Sequence, residues 1–428
     1  MKKIILSAFA AFSIAGYSQT TTPVATTTAP AVPAVSSDKE WDVSMYGFVR
    51  TDYFVDTRRT SNVREYNLNL YPLDVLKDAN GKDVNAVPSS NFLSVTSRLG
   101  VKVKGPNVWG AKMQGTLEGD FFGNTEGATS SIGLFRLRHA YVNMDWSKTS
   151  LLLGQTWVPA FIPEVMPGVA NFNTGILFNP FGWATQFRIK QNLTKNISFA
   201  FTAYKEREFT TPVVPASTQN GPSTNSVIPS LHGQFQYKGK NVVAGVGAEY
   251  KSLQPLIVSN NQVSTEKVTS ATVLGYFKYA NEKVSFKAYG ISGSNTYNLV
   301  MLGGFAGYTT PGNVETYKAT KTSAFWIDIA SMGKKVAPGM FFGYSKNNGT
   351  GKDGATAYYV RGISGTRGID NVWRASARVD FKQNKFRVTP EVEYTAATWG
   401  DVTSSGSVKD NTTVVGNFRA LVSCVYTF

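Results

Sequence analysis

The sequence has 428 residues, with 43 Lys and Arg against 28 Asp and Glu, which gives a formal net charge of +15. Charged residues make up only 17%, well below the roughly one quarter of a soluble globular domain, whereas aromatic residues reach 13%. This composition excludes disorder for most of the chain. The single Cys424 excludes a disulfide scaffold and a zinc site built on thiolates. We expect a large, mainly β protein without a cofactor.

The first eighteen residues have the pattern of a secretory signal peptide. A basic start, Met1-Lys2-Lys3, precedes an apolar run, Ile4–Ile14, that is too short to span a bilayer, and Gly16 and Ser18 supply small residues before a cleavage site. Residues 19–40 are rich in Thr, Ala and Pro and predict a flexible leader. We therefore expect an exported protein whose folded domain spans residues 41–428.

From residue 41 onward, apolar and polar residues alternate with a period of two. In Leu93–Lys104 the odd positions are mostly apolar and the even positions mostly polar. Ala111–Phe121, Trp373–Lys382 and Phe418–Phe428 repeat the pattern. Such alternation predicts β-strands with one apolar face.

The connections between these strands alternate strictly between short and long. The short turns are Lys104–Gly110, Trp146–Ser150, Gln191–Asn196, Lys238–Asn241, Ala280–Lys283, Ser331–Val336 and Lys382–Lys385. The long joins lie near 57–92, 122–134, 158–182, 207–229, 252–267, 292–319, 347–370 and 397–411. Seven turns and eight joins imply sixteen strands. A soluble sandwich has no reason to sort its loops by length, whereas outer-membrane barrels have short periplasmic turns and long outer loops. We predict an all-β, 16-stranded antiparallel transmembrane barrel in the outer membrane of a Gram-negative bacterium.

Aromatic residues flank several of the short turns, where a barrel meets the lipid headgroups. Phe381 and Phe386 border one turn, and the ending Val425–Phe428 resembles the C-terminal signal of outer-membrane barrels. Pro390 conflicts with this scheme, because it falls on the lipid face of a strand whose N–H groups should all be paired. Either a bulge or a register slip of one residue would resolve the conflict.

If the apolar face meets lipid, the polar face lines a water-filled lumen, because burying these charges without water is costly. The basic residues on this face that we expect to line the pore are Arg98, Lys102, Arg136, Arg138, Arg188, Arg374, Arg378 and Arg419, with Glu118 and Asp120 among the acids. Excess positive charge favours the entry of anions. In the alternative, Arg136 and Arg138 pair with Glu118 and Asp120 and only stiffen the wall.

The third long loop, 158–182, is unusually apolar and rich in proline. Its distinctive residues are Pro159, Pro163, Glu164, Pro167 and Phe172. Such a segment is poorly suited to an exposed tip, so we expect it to fold into the lumen and form a constriction. Packing over a junction between subunits is the alternative.

Several of these segments together resemble the early strands of DcaP-like trimeric porins. They are Ser97–Lys102, Leu117–Gly123, Arg136–Tyr141, and Leu152–Trp157 followed by Asn171–Asn173, and the resemblance covers roughly residues 92–190. It implies a homotrimer in the outer-membrane lipid that takes up small, preferably anionic solutes by passive diffusion. It also makes Arg98, Arg136 and Arg138 candidates for the basic side of the narrowest part of the channel. The N-terminal coiled coil typical of that family has no matching heptads in Thr20–Ser37.

Other classes of function find little support in the sequence. A barrel enzyme needs a nucleophile beside a base, but only His139 and His232 are present, neither lies in a paired Ser/Asp motif, and the alternation turns His139 outward. We expect no metal site and, because the protein is exported, no nucleic-acid partner. The length is too short for a 22-stranded transporter with a plug. A structural barrel or an adhesin stays open as the alternative to a porin.

Overall fold

The computed structural model describes residues 41–123, 133–214, 221–312 and 314–428, and these residues contain sixteen long antiparallel strands. The predicted signal peptide and leader lie outside the described residues. The long strands are β1 (Asp42–Asp56), β2 (Arg98–Val108), β3 (Ala111–Asp120), β4 (Arg136–Asp145), β5 (Thr149–Trp157), β6 (Trp183–Asn192), β7 (Ile197–Glu206), β8 (Ser230–Lys238), β9 (Val242–Leu253), β10 (Val268–Ala280), β11 (Val284–Ser294), β12 (Lys321–Ser331), β13 (Val336–Asn347), β14 (Arg367–Gln383), β15 (Phe386–Val402) and β16 (Val408–Thr427).

The sheet closes on itself, because each long strand pairs with its neighbour in sequence and β1 pairs with β16 on its other edge. In the closing pair, Arg50 lies opposite Val425 and Asp56 opposite Arg419. Closure leaves no open edge in the hydrocarbon region, where every backbone group must be paired. The predicted 16-stranded antiparallel barrel is confirmed.

Each of the seven turns lies within a segment that the sequence analysis assigned to a turn. We name the eight long connections L1 (57–97), L2 (121–135), L3 (158–182), L4 (207–229), L5 (254–267), L6 (295–320), L7 (348–366) and L8 (403–407). The expected join at 397–411 is wrong, since L8 is only five residues long. Strands β15 and β16 continue pairing past Trp399 and through Val402, where the polar and small residues had suggested a loop.

The alternation of apolar and polar residues divides the two faces of the wall. In β16, Phe418, Val422 and Tyr426 point outward and are exposed, whereas Arg419 and Ser423 point inward and are buried. The aromatic residues beside the turns are exposed in the same way. No helix among the described residues has the length and apolar character needed to cross a membrane.

Pro390 is accommodated without a bulge or a register slip. It points outward between the inward-facing Thr389 and Glu391, and its pairing with Val422 of β16 is regular. On the other side, the β14–β15 ladder keeps its register from Asn371 to Gln383 but contains no pair opposite Thr389 and Pro390. Neither of the two expected resolutions is correct, because the strand tolerates the missing N–H by leaving this short stretch of one ladder open.

His139 faces inward, contrary to the expectation from strict alternation. The register of β3 and β4 shifts between Glu118 and Gly119, so that Glu118 lies opposite His139 whereas Gly119 lies opposite Leu137. This bulge places an additional residue on the inner face of β4. The His139 ring is buried and its Nδ1 lies 3.0 Å from Thr156 Oγ1.

Several loops carry short elements of their own. They are strands Thr60–Val63 and Leu68–Pro72 in L1, strand Ser89–Leu93 paired to β1, helix Pro222–Asn225 in L4, strands Val258–Ser259 and Gln262–Val263 in L5, the 3-10 turn Tyr297–Leu299, the sheet Gly303–Thr309, Glu315–Ala319 and Ala357–Arg361, and strand Ile363–Ser364 beside β14. Loops L1, L3 and L6 pack together inside the barrel.

The charged inner face had suggested a lumen filled by water alone. Loops occupy part of it instead. Buried apolar side chains of the three loops form one cluster with Trp183 and Trp326 of the wall. Leu70 of L1, Phe178 of L3 and Met301 of L6 belong to it and are at most 2% exposed. Burial of apolar side chains at about 25 cal/mol per Å² holds these loops inside the barrel.

Candidate functional site

L3 crosses the barrel and docks on the opposite wall. The backbone N–H of Ala170 donates to Glu391 Oε2 at 2.8 Å, and that of Asn171 donates to Glu391 Oε1 at 3.0 Å. The N–H of Gly168 donates to Asp328 Oδ2 at 3.1 Å. Carboxylates of β12 and β15 thus hold a loop that begins after β5. The expected inward fold of this loop is confirmed, and the alternative of packing over a subunit junction is wrong.

L1 supports L3 from the loop end of the barrel. Asn171 and Asn173 both donate to the side-chain oxygen of Asn69, at 3.0 and 2.9 Å. Arg374 of β14 joins both loops to the wall, because it donates to the carbonyls of Ile176 and Asn69, each at 2.7 Å. The sequence analysis missed L1, whose buried Leu68 and Leu70 lie among many polar residues.

On the near wall, strands β2–β4 carry a compact network of ion pairs. Arg136 binds both oxygens of Asp120, at 2.9 and 2.8 Å. Arg138 bridges Glu118 at 2.8 Å and Asp120 at 3.0 Å, and Arg98 lies 3.5 Å from Glu118. The structure therefore contains the alternative that the sequence left open, in which Arg136 and Arg138 pair with Glu118 and Asp120.

Two loop residues that the sequence analysis missed complete this network. Glu208 of L4 receives a hydrogen bond from Arg136 at 2.5 Å and a second from Arg64 of L1 at 2.6 Å. With Arg98 and Arg138, the network holds four guanidinium groups against the carboxylates of Glu118, Asp120 and Glu208. No pattern in sequence pointed to Arg64 or Glu208, since both lie in loops and come together only through the fold.

Indole rings cover the guanidinium groups of this network. The Arg138 guanidinium lies 4.3 Å from the centre of a Trp183 ring and 5.1 Å from one of Trp157, and the two indoles stack at 4.5 Å. Cation–π contact of this kind is stronger where water is excluded. The stack fixes the planes of the side chains, so this wall is rigid.

The opposite wall repeats the arrangement with other residues. Arg378 binds Asp328 at 2.9 Å, Arg419 binds Asp56 at 2.7 Å, and Arg374 lies 3.3 Å from Glu393. Arg374 is 0% exposed, and Arg138 and Arg419 are 1% exposed. These predicted pore-lining residues are thus on the inner face, as expected, but loops enclose them and they act as anchors.

Two cavities lie beside L3, and the residues predicted for the constriction loop line them. The larger has a volume of about 430 Å³, and Pro163, Pro167 and Phe172 of L3 form part of its lining. The smaller has a volume of about 140 Å³ and is lined by Pro159, Pro163 and Glu164. Lys102, also on the inner face, is exposed nearer the turn end of β2.

Basic side chains line both cavities, and those of the larger one are ion-paired to carboxylates behind its lining. Arg50, Arg98, Arg138 and Arg387 line the larger one, and Arg188 and Lys190 line the smaller. Among the described residues that line either cavity, Glu164 is the only carboxylate, and Lys238 lies 3.5 Å from it. The guanidinium of Arg188 donates to neutral partners, the side-chain oxygen of Gln186 at 2.7 Å and the carbonyl of Trp157 at 3.3 Å.

A closed barrel of sixteen strands, with a loop folded inward after the fifth strand, defines the class of outer-membrane porins. The sequence profile of the DcaP outer membrane protein family matches residues 22–309, about two thirds of the chain. The protein belongs to this family, and it is located in the outer membrane of a Gram-negative bacterium. Its short turns accordingly face the periplasm and its long loops face outward.

Solved structures of porins share this fold at low sequence identity. The outer membrane channel DcaP of Acinetobacter baumannii is 18% identical, with a TM-score of 0.63, over 92% of this chain and 99% of that one. An anion-selective porin from Comamonas acidovorans is 13% identical, with a TM-score of 0.53, over 91% and 100%. OmpT of Vibrio cholerae is 11% identical, with a TM-score of 0.52, over 92% and 99%. A search of curated proteins found no significant match.

Proposed function

We propose that the protein is a passive diffusion channel that favours small anionic solutes. The observation that carries this proposal is the pair of cations in the smaller cavity beside L3, where Arg188 and Lys190 share a lining whose only described carboxylate is Glu164. In a narrow, low-dielectric space such an excess of positive charge raises the local concentration of anions. No chemical step is required of the protein, and we propose no enzymatic activity.

The direct test is the reversal potential of the purified protein in a planar bilayer across a KCl gradient. We expect ion-sized conductance steps and a potential of the sign given by chloride permeation. A cation-selective potential would contradict the anion preference. Absence of steps from correctly folded protein would favour the structural or adhesin alternative.

A double substitution tests whether Arg188 and Lys190 set the anion selectivity. Arg188→Gln with Lys190→Gln removes two positive charges from the smaller cavity, so the reversal potential should move toward zero. Lys267→Gln with Lys409→Gln removes the same charge from exposed positions in L5 and at the start of β16, away from the two cavities, and is the matched control. An equal shift in both variants would remove Arg188 and Lys190 from the selectivity site.

We further propose that the protein is exported by its signal peptide and works as a homotrimer in lipid. The N-terminal pattern supports cleavage after Ser18, which sequencing of the mature protein tests by finding Gln19 first. Membership of the DcaP family supports the trimer. Light scattering of the detergent complex should give three times the mass of the chain, and a monomeric mass would contradict the trimer.

A further inference from the structure

The periplasmic end of the barrel carries a ring of exposed lysines. Six of the seven turns contain lysine, at Lys148, Lys195, Lys240, Lys283, Lys334 with Lys335, and Lys385. The remaining turn, Trp109–Gly110, exposes an indole. Within the described residues of these turns, Glu282 is the only carboxylate. This end of the molecule therefore presents a cationic rim.

Aromatic side chains place this rim at the level of lipid headgroups. Tyr237, Tyr279, Phe381 and Tyr426 lie on the outer face within a few residues of the turns and are 36–53% exposed. Tyrosine and other aromatic residues concentrate at this boundary, where part of the ring meets hydrocarbon and part meets water. The lysines just beyond them reach the phosphate layer of the periplasmic leaflet.

One part of the outer face contains an apolar groove. It has a volume of about 790 Å³ and lies across strands β7–β12. Its floor is low because Gly275, Ala288 and Gly290 have little or no side chain, whereas Phe277 and Phe325 stand at its sides. The groove thus has the shape and surface for a hydrocarbon chain.

The groove runs toward the turns that carry three of the lysines. Ile197 and Tyr237 line it, and they lie two and three residues from Lys195 and Lys240. Ala288 is five residues from Lys283, or about 16 Å along a strand at roughly 3.3 Å per residue, a span that one acyl chain covers.

We propose that this groove and its lysines bind an anionic phospholipid of the periplasmic leaflet. An acyl chain lies in the groove over Gly275 and Gly290, the phosphate contacts Lys195 and Lys240, and Lys283 adds to the positive field around it. Charge complementarity selects the occupant, because a zwitterionic headgroup gains less from a predominantly cationic rim than an anionic one does. The site is separate from the lumen and does not depend on the proposed solute preference.

The test compares two probes of equal chain length, dioleoyl phosphatidylglycerol and dioleoyl phosphatidylethanolamine. Purified, delipidated protein is titrated with each in detergent, and bound lipid is counted by native mass spectrometry. We expect a preference of about tenfold for phosphatidylglycerol, falling as salt is raised. Lys195→Gln, Lys240→Gln and Lys283→Gln together should abolish the preference. Equal binding of the two lipids by the unmodified protein would overturn the proposal.

Two further variants separate the groove from the rim. Lys112→Gln at the start of β3, with Lys148→Gln and Lys385→Gln in their turns, removes the same charge from this end of the barrel away from the groove and should retain the preference. Gly275→Leu with Gly290→Leu fills the groove without a clash, since a Cβ at Gly290 has no neighbour within 4 Å and one at Gly275 is 3.8 Å from Gly245 O. Lipid binding should then fall while conductance is unchanged. Unchanged lipid binding would overturn the proposal. A change in oligomeric state would also overturn it, because it would show that a second copy of the chain occupies the groove.

Discussion

Buried guanidinium groups in this barrel hold loops as well as neighbouring carboxylates. Arg419 binds both oxygens of Asp56 and also donates to the carbonyls of Tyr66 and Asn67 in L1. Arg374 likewise donates to a carbonyl of L1, that of Asn69, and to a carbonyl of L3, that of Ile176. A lysine has one point charge and cannot reproduce this planar, multidentate geometry. The charged inner face therefore serves two purposes, attachment of loops by buried residues and attraction of solutes by accessible ones.

At the residue scale we predict that Arg374→Ala destabilises the barrel and loosens its loops. Removal of one partner of a buried ion pair costs about 3–5 kcal/mol, and two loop carbonyls lose their donor at the same time. The midpoint of thermal unfolding, followed by the heat-induced shift in gel mobility, should fall, and single-channel current should become noisier.

The control is Arg387→Ala on the neighbouring strand. This side chain is 42% exposed and 3.9 Å from Asp380, so its loss should cost less than about 1 kcal/mol. Equal unfolding midpoints for the two variants would contradict an anchoring role for Arg374.

At the scale of the element, Asp83 ties the tip of L1 to Arg58, while Asp78 closes the turn beside it. Asp83 accepts the backbone N–H of Leu76 at 3.1 Å and that of Asn85 at 3.0 Å, and binds Arg58 at 2.7 Å. Partial burial acts to raise the pKa of Asp83, but the two backbone hydrogen bonds and Arg58 outweigh it and lower the pKa below its usual 3.8. A lowered pKa means that the folded loop binds the proton less well than the unfolded one.

We therefore predict that the tip of L1 loosens in acid. The stabilisation from Asp83 is complete above its usual pKa of 3.8 and is lost as pH falls below that value toward the lower folded pKa. Hydrogen exchange of residues 74–85, corrected for the intrinsic rate, should rise over this range. In Asp83→Asn exchange should already be fast at neutral pH and should not change with acid. A variant that keeps the same pH dependence would contradict this account.

L3 is the second element whose role is testable. Replacing residues 160–178 by a short Gly-Ser linker removes the segment that crosses the lumen and its hydrogen bonds to Asp328 and Glu391. Single-channel conductance should rise several-fold, because the cross-section of the lumen is wider without the loop. The same replacement of residues 258–263, an outer hairpin in L5, should leave conductance unchanged. No rise after loss of L3 would show that L1 and L6 alone set the constriction.

At the scale of the whole molecule, positive charge is concentrated around the lumen and on the periplasmic rim. Such a field is screened over about 10 Å at 0.1 M salt and about 3 Å at 1 M. We predict that the permeability ratio of chloride to potassium falls as both sides of the bilayer are brought from 0.1 M to 1 M KCl at a fixed gradient. A permeability ratio independent of salt would contradict this prediction. It would indicate that selectivity arises from side chains in direct contact with the permeating ion.

The sequence by itself determined the number of strands, their two faces and the inward fold of L3. These follow from local rules, since alternation has a period of two and turn length is written in consecutive residues. The tertiary structure alone decided which inward cations remain accessible. Arg98 and Arg374 are alike in sequence pattern, yet L1 and L3 bury only Arg374 completely. Burial depends on contacts between residues hundreds of positions apart, such as Arg374 with Asn69, and no local pattern encodes them. For the same reason the bulge at His139 and the pairing of Arg64 with Glu208 became visible only in the folded barrel.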